Sequence, residues 1–424
     1  NPNEKKMAKP TITPIVMNRD VASDFLKEIQ NSNVKPIEPV FLDFKKDLSQ
    51  LKAKSGIPVL YKQNTSNDLF QLIYVFDMGN NNDKALGTAF DYIDYLRTSD
   101  MTPEQVKSEF YRLACNFRVS PGNERTYVVL SGLNENMPEA MKLFEKLMAD
   151  AQVNKEAYTN MVADILKSRK DAKLNQMQNF RRLMNYGMYG PKSPATNILT
   201  ETELQTMDPQ ELTDRIHNQN SYKHRIMYYG PTSEKELLAI INKNHQAPKK
   251  LKEIPVGNEF PRLETPVTKV LISPYEAKQI YMTQLSNRGE KFDPMIEPSR
   301  QMYNEYFGGG MNSIVFQEMR ESRGLAYPAW AGLNRPSYSK YPYLLQTQIA
   351  TQNDKMIDAI KVFNDIIDNM PESEAAFQLA KEALIARLRT ERITKSDIIW
   401  SYINAQDLGQ NVDSRIKLYN DAQS

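Results

Sequence analysis

The amino-acid sequence predicts an α+β fold of two tandem repeats, each a mostly antiparallel sheet with helices packed on one face. Two observations carry this prediction. Strand-like and helix-like segments follow one another in the same order, ββααββαα, in both parts of the 424-residue chain. A Pro-rich stretch from His245 to Pro274 separates the two parts. We therefore predict a lead-in over residues 1–50, one repeat over 51–250 and a second over 251–424.

The first repeat is built from segments whose apolar residues recur with the period of a strand or of a helix. Thr102, Pro103 and Gln105 form a helix start, with an N-cap, a proline at the first helical position and a capping-box glutamine. A strand at His224–Tyr229 and a helix close the repeat. The elements before them are strands at Ile57–Lys62 and Leu69–Asp77, helices at Lys84–Arg97 and Pro103–Cys115, strands at Phe117–Ser120 and Thr126–Leu133, and helices at Pro138–Ala149 and Lys155–Tyr186.

The second repeat has the same order of elements but no closing strand and helix, which indicates a truncated C-terminus. The predicted elements are strands at Lys269–Ile272 and Gln279–Leu285, helices at Pro294–Phe307 and Ser313–Arg323, strands at Ala329–Leu333 and Leu344–Ala350, and helices at Lys355–Asn369 and Glu372–Gln406.

Composition limits the possible functions. The formal net charge of +2 argues against a dedicated nucleic-acid surface, which needs a basic excess. No apolar run approaches the length of a membrane-spanning helix. The single cysteine, Cys115, excludes an internal disulfide and a multi-cysteine metal site.

The first residues lack both an initiator Met and the apolar core of a signal peptide, so we interpret the chain as a processed or excised segment. Both the cytoplasm and a bacterial envelope or periplasm fit this composition.

The most informative segment runs from the glycines at 308–310 to Tyr327. Gly308, Gly309 and Gly310 end one helix, Arg320 lies late in the next, and Tyr327 opens a strand after Gly324. This order resembles the second, non-catalytic half of the M16 zinc metallopeptidases, the insulinase and pitrilysin family with LuxS/MPP-like metallopeptidase repeats. The resemblance covers residues 50–424.

The catalytic half of that family carries the inverted zinc motif H-x-x-E-H on the first helix of its first repeat, and this chain lacks the motif. Phe90 and Asp94 stand where the two histidines would be, and Ile93 stands where the general base would be. We therefore expect no metal site and no catalytic residue here. Asp91, Asp94 and Asp164 have the chemistry to hold a hard cation, but a solvated helix face is the better explanation, because zinc sites normally use imidazole or thiolate. The histidines, His217, His224 and His245, have no ligand spacing and are expected to be surface or packing residues.

Two interpretations of the Gly-rich segment remain open. On spacing alone, the glycines form a helix C-cap, Arg320 pairs with Glu321 or Glu318, and Tyr327 is a core aromatic. The resemblance implies instead that Arg320 and Tyr327, seven residues apart, contact substrate across an enclosed chamber, with Gly308, Gly309 and Gly310 allowing close approach of a peptide. Arg323 is a weaker candidate, and we expect it to complement the helix dipole.

The resemblance therefore implies the substrate-binding half of a two-half zinc endopeptidase that encloses and cleaves peptides. The zinc would be held by the other half, on the same polypeptide or on a partner chain, and this segment alone would be inactive. Two alternatives stay open. One is a separately encoded inactive subunit that binds peptides for a zinc-bearing partner. The other is a structural scaffold without peptide handling.

Overall fold

A computed structural model describes residues 23–32, 35–326 and 328–423. The chain divides into two compact units, Asn1–Pro39 and Val40–Ser424. The described part of the smaller unit contains the helix α1 (Asp24–Asn31), whose Phe25 and Ile29 side chains are exposed.

The larger unit contains two β-sheets. Its strands, within the described residues, are β1 (Ser49–Lys52), β2 (Pro58–Gln63), β3 (Leu69–Phe76), β4 (Cys115–Pro121), β5 (Thr126–Leu133), β6 (Arg225–Gly230), β7 (Gln279–Ser286), β8 (Ala329–Asn334) and β9 (Leu344–Gln352). The first sheet has the order β1-β2-β6-β3-β5-β4 and the second has the order β7-β9-β8. Neighbouring strands are antiparallel except β2 and β6, which are parallel. An α+β fold rich in antiparallel strands is thereby confirmed.

Helices alternate with the strands along the chain. They are α2 (Leu86–Tyr92), α3 (Pro103–Arg112), α4 (Met137–Asp150), α5 (Lys155–Ala172), α6 (Gln176–Tyr189), α7 (Glu201–Thr206), α8 (Gln210–Asn218), α9 (Glu234–Asn244), α10 (Glu297–Phe307), α11 (Ile314–Phe316), α12 (Met356–Asp368), α13 (Glu374–Thr390), α14 (Asp397–Asp407) and α15 (Arg415–Gln423). The capping box of Thr102 and Gln105 forms as predicted. None of the described helices combines the length and apolar composition needed to cross a membrane.

The two long helices that we predicted are each divided. Lys155–Tyr186 becomes α5 and α6, because the Asn175 side chain accepts a hydrogen bond from the Gln178 backbone N–H and starts a new helix. Glu372–Gln406 becomes α13 and α14, separated by residues 391–396, where Lys395 has a φ of +58°. Helical periodicity alone does not reveal a change of axis between two amphipathic segments.

The predicted strand at Lys269–Ile272 is wrong. This segment is extended chain outside both sheets, and the Val270 and Ile272 side chains are each 79% exposed. Its apolar residues have the composition of a strand, but a strand also needs a neighbouring edge with which to form hydrogen bonds. The sequence pattern carries no information about that neighbour.

The first sheet has helices of residues 51–250 on one face, and its other face is covered by α14, which lies in residues 251–424. Leu72 and Tyr74 on β3 face a large core shared with α2, α4 and α8. The alternate residues, Ile73 and Val75, point to the other face and pack in a cluster with Ile398 and its neighbours on α14. Strand alternation sends every second side chain to the opposite face, and both sets are apolar here.

The second sheet also has cover on both faces. Ile349 on β9 packs in a core with Phe363 of α12, and both side chains are fully buried. On the other face, the ring of Phe180 from α6 lies 5.6 Å from the ring of Tyr281 on β7. This sheet, with α10 and α11, holds the Gly-rich segment in place.

Candidate functional site

The turn after α10 is shaped by close backbone approach. The Gly308 and Gly309 N–H groups both donate to the Asn304 carbonyl, at 3.1 and 2.7 Å. A Cβ atom added at Gly308 would lie 2.1 Å from the Ala331 carbonyl oxygen on β8, and one at Gly309 would lie 2.8 Å from the Asn304 oxygen. At Gly310 the nearest atom would be 3.9 Å away. The fold therefore requires glycine at the first two positions and leaves room at the third.

The helix that carries Arg320 is irregular. Ser313 caps α11, its hydroxyl accepting a hydrogen bond from the Phe316 N–H at 3.4 Å. The chain then continues as a π-helical turn over residues 317–322, with the fully buried Val315 and Met319 side chains as its apolar anchors. Single π turns are uncommon and are frequent at functional sites. The irregularity is thus a second feature, besides the glycines, that singles out this segment.

The Arg320 side chain is held against an aromatic ring at the surface. Its guanidinium carbon lies 4.8 Å from the centroid of the Phe316 ring, and its Nε is 3.4 Å from a Glu321 carboxylate oxygen. About a third of the side chain, 35%, is exposed. An arginine stacked on an aromatic face keeps N–H donors at the edge of its guanidinium plane for hydrogen bonding. Arg320 therefore presents a positioned cation without being buried.

The turn that follows is fixed by its own contacts. Gly324 has a φ of +55°, and its N–H donates to the Arg320 carbonyl at 3.0 Å. The Lys355 ammonium donates to the Gly324 carbonyl at 3.0 Å. Arg323 pairs with Glu318 at 3.0 Å, so the helix-dipole role that we expected for it is accompanied by a specific ion pair. Tyr327 lies outside the described residues, and its pairing with Arg320 stays a prediction.

A comparison with known protein families finds a match that includes this region. A family model described as the peptidase M16 inactive domain matches residues 225–384, a range that includes the glycine turn, Arg320 and Tyr327. Residues 225–384 are an M16 inactive domain. The predicted resemblance to the non-catalytic half of M16 peptidases is confirmed. No curated protein matches the sequence.

Solved structures show the same fold at low sequence identity. The M16 inactive domain from Pseudomonas fluorescens is 16% identical, with a TM-score of 0.65, over 89% of this chain and 91% of that one. The periplasmic protease PqqL from Escherichia coli is 13% identical, with a TM-score of 0.71, over 99% of this chain and 46% of that one. The protease FusC, solved in complex with Arabidopsis ferredoxin, is 10% identical, with a TM-score of 0.64, over 97% of this chain and 46% of that one. This chain thus spans about half the length of the two larger proteases.

Two of the three residues that we aligned with the zinc motif are core side chains. Phe90 and Ile93 are 4% and 3% exposed and belong to the core of the first sheet. Asp94 is an exposed carboxylate in a short 3-10 turn after α2. A phenyl ring and an aliphatic side chain have no lone pair for a metal, so these residues do not fit zinc. Across the described residues, no three His, Cys, Asp or Glu side chains come together as a metal site.

Two of the three histidines form a contact that sequence reasoning missed. His224 and His245 are separated by 21 residues and by α9, yet their Nε2 atoms are 2.8 Å apart. His217 lies elsewhere, with its Nε2 3.0 Å from the Ala151 carbonyl oxygen. No helical or strand spacing joins His224 to His245, so the sequence pattern held no signal for their contact.

Proposed function

We propose that this chain is the non-catalytic, substrate-binding half of a zinc endopeptidase of the M16 type, with the zinc held by another half. The observation that carries the proposal is the positioned Arg320 cation within the matched inactive-domain region. The two longer neighbours, PqqL and FusC, support a protein about twice this length. The ferredoxin bound by FusC supports a protein or large peptide as substrate for an enzyme of this architecture.

The proposed chemistry of this half is electrostatic. Peptide hydrolysis develops negative charge on the scissile carbonyl oxygen, and preorganised N–H and O–H donors stabilise it. The Arg320 guanidinium and the Tyr327 phenol are donors of the required kind. Gly309 is exposed and Gly310 is half-buried, so their backbone is open to an extended peptide. Gly308 is buried and would act by shaping the turn.

We further propose that residues 51–250 and 251–424 are two repeats of one M16-type unit. The strands β3, β5 and β4 are ordered as are β7, β9 and β8, and all four pairings are antiparallel. In both sets, two helices lie between the first and second strands along the chain, α2 and α3 in one, α10 and α11 in the other. The matching order supports a duplicated unit.

A second candidate function is a separately encoded inactive subunit that binds peptides for a zinc-bearing partner or serves as a scaffold. The observation that favours it is the length of the Pseudomonas and Helicobacter pylori neighbours, of which this chain covers 91% and 96%. The mass of the native polypeptide from its source distinguishes the two. A species near twice 48.8 kDa favours one polypeptide with two halves, and a species near 48.8 kDa favours a separate subunit.

Kinetics of the native assembly, with its zinc-bearing half, test the role of the site. Arg320→Ala and Tyr327→Phe should each lower kcat/KM for a peptide substrate by about 10²-fold, the scale of removing one oxyanion donor. Arg320→Lys should recover little, because an ammonium lacks the planar guanidinium fork. Arg323→Ala is the matched control, since it removes a neighbouring cation that is paired with Glu318. Unchanged kcat/KM in both site variants, or an equal loss in the control, would show that the proposed role is wrong.

A further inference from the structure

Three buried side chains form a chain of hydrogen bonds behind the first sheet. Glu145 lies on α4, His224 immediately precedes β6, and His245 immediately follows α9. The His245 Nδ1 atom is 2.6 Å from a Glu145 carboxylate oxygen, and the two imidazole Nε2 atoms are 2.8 Å apart. The Glu145 and His245 side chains are 1% and 2% exposed, and His224 is 7% exposed. We call these three residues the buried triad.

Hydrogen-bond chemistry fixes how many protons the triad holds. The His224 Nδ1 atom lies 2.7 Å from the Tyr222 carbonyl oxygen, which only accepts, so Nδ1 carries a proton. In a neutral imidazole the other nitrogen then has a lone pair, so the His224 Nε2 atom is an acceptor. The atom facing it, His245 Nε2, must therefore be a donor.

The same donor and acceptor rule, applied to the contact between Glu145 and His245, requires one more proton. If Glu145 is ionised, His245 Nδ1 must donate to it, and His245 carries protons on both nitrogens. If His245 is neutral with its proton on Nε2, Glu145 must be protonated and must donate to Nδ1. In both cases the triad holds one proton more than two neutral imidazoles and a carboxylate. Without it, either two nitrogen lone pairs would face each other at 2.8 Å, or the His245 Nδ1 lone pair would face the carboxylate at 2.6 Å.

We propose that Glu145 and His245 share this extra proton, that His224 accepts a hydrogen bond from His245, and that the protonated triad is a pH-sensitive latch joining α4, β6 and the end of α9. The latch lies where the chain leaves α9 for the Pro-rich connection to the second sheet. The Gln246 backbone N–H donates to the second Glu145 oxygen at 3.2 Å, so the carboxylate holds the first residues of that connection. The Asn220 side-chain amide donates to the same oxygen at 2.9 Å.

The surroundings keep the extra proton on the Glu145–His245 side. Burial, and then the neighbouring His245, lower the pKa of His224 from 6.5 to about 4, so His224 is neutral at pH 7. The Tyr74 ring of β3 stacks on His245 with centroids 4.8 Å apart, and Phe76 packs on His224 at 4.7 Å. Burial and the nearby Glu145 charge hold the pKa of Tyr74 well above its usual value, so Tyr74 stays neutral. Among the described contacts of the triad, Tyr74 is the titratable group that lies outside it.

The latch weakens as the pH falls. At low pH His224 binds a second proton, and two N–H groups face each other. Because His224 has a lower pKa in the folded chain than when unfolded, the unfolded chain binds protons more readily, and stability falls as the pH drops from 6.5 through about 4.

A metal ion is the competing explanation for two converging imidazoles with their outer nitrogens held by a carboxylate and a carbonyl. Two nitrogen ligands of a tetrahedral zinc, each about 2.0–2.1 Å from the metal, lie roughly 3.3 Å apart. The observed 2.8 Å is shorter than that and matches a hydrogen bond. The geometry therefore favours a proton over a metal.

Nuclear magnetic resonance of the ¹⁵N-histidine-labelled chain at pH 7 tests the proposal directly. We expect a proton on Nε2 of His245 and on Nδ1 of His224, with no proton on Nε2 of His224. Unprotonated Nε2 atoms on both rings would overturn the proposal. So would stoichiometric zinc that remains with the purified chain and that, when removed by EDTA, changes the two histidine spectra.

Urea unfolding across pH provides a second test. In wild type, protonation of His224 should lower the folding equilibrium constant about tenfold or more as the pH falls from 6.5 to about 4. In His224→Gln this acid loss should vanish, because a side-chain amide does not titrate and supplies either a donor or an acceptor to His245. His217→Gln, the matched control outside the triad, should keep it. An acid loss of equal size in all three proteins would overturn the proposal, and if His224→Gln does not fold, the spectra of the wild type decide.

Discussion

Replacing Gly308 by alanine should destabilise the fold, and the structure gives the size of the effect. The new Cβ atom would lie 2.1, 2.7 and 2.9 Å from the oxygen, carbonyl carbon and Cα of Ala331, whereas ordinary contacts begin at 3.4 Å. These atoms are strand backbone, so β8 must move by more than 1 Å from α10. Overpacking of this kind costs about 3 kcal/mol. We expect that loss in the free energy of unfolding, measured by urea denaturation followed by circular dichroism.

Gly310→Ala is the matched control two residues away. Its Cβ atom would have no neighbour closer than 3.9 Å, and its φ lies outside the left-handed region. Alanine also restricts the unfolded chain more than glycine does, so we expect a stability within about 1 kcal/mol of wild type, on the stabilising side. Equal stabilities for Gly308→Ala and Gly310→Ala would refute the argument that the approach of β8 dictates glycine at position 308.

Three further outcomes follow from ion pairs and packing in the larger unit. Arg125→Met should lower the free energy of unfolding in urea by about 3 kcal/mol, because the Arg125 guanidinium donates to Asp407 at 2.8 and 2.9 Å and to Asp77 at 2.7 Å. A decrease below about 0.5 kcal/mol would contradict this prediction. Burial opposes ionisation of Asp77, but the combined effect of Arg225 and Arg125 is larger and lowers the pKa of Asp77. Stability from Asp77 is therefore present above the ordinary carboxyl range and lost as pH falls through its lowered pKa, and an acid titration of Asp77→Asn should lack this loss. Phe363→Ala should lower the free energy of unfolding by about 3–5 kcal/mol, since Phe363 is fully buried. Thermal melting measures this loss of stability.

Much of the architecture was predictable from local patterns. The strands β3 and β5 and the helices α3 and α10 formed close to their predicted bounds, because each has its own periodicity, N-cap or proline start. The failures share one cause. Segment 269–272 has strand-like composition without a partner edge, and α14 was merged with α13 although it packs on a different sheet. Both outcomes depend on neighbours that are distant in sequence, and periodicity does not describe them.

The candidate functional site also has features that the sequence revealed and features that it did not. The Gly-rich turn and Arg320 were recognisable in the sequence because they are contiguous and have a family pattern. The separate roles of the three glycines were not recognisable, since they depend on distances to the backbone of α10 and β8. The i,i+4 spacing of Phe316 and Arg320 did offer a signal for their contact, which we did not use.

By itself, the sequence determined that this chain holds no M16 zinc centre at the matching helix, because a phenyl ring at 90 and an aliphatic side chain at 93 cannot bind a metal in any conformation. The ability to bind a metal is a property of the side chain itself. Only the tertiary structure decided that Glu145 and His245, 100 residues apart, meet His224 in a buried triad. That contact depends on how α4, β6 and α9 pack, and the number of protons it holds follows from a 2.8 Å distance that no sequence spacing encodes.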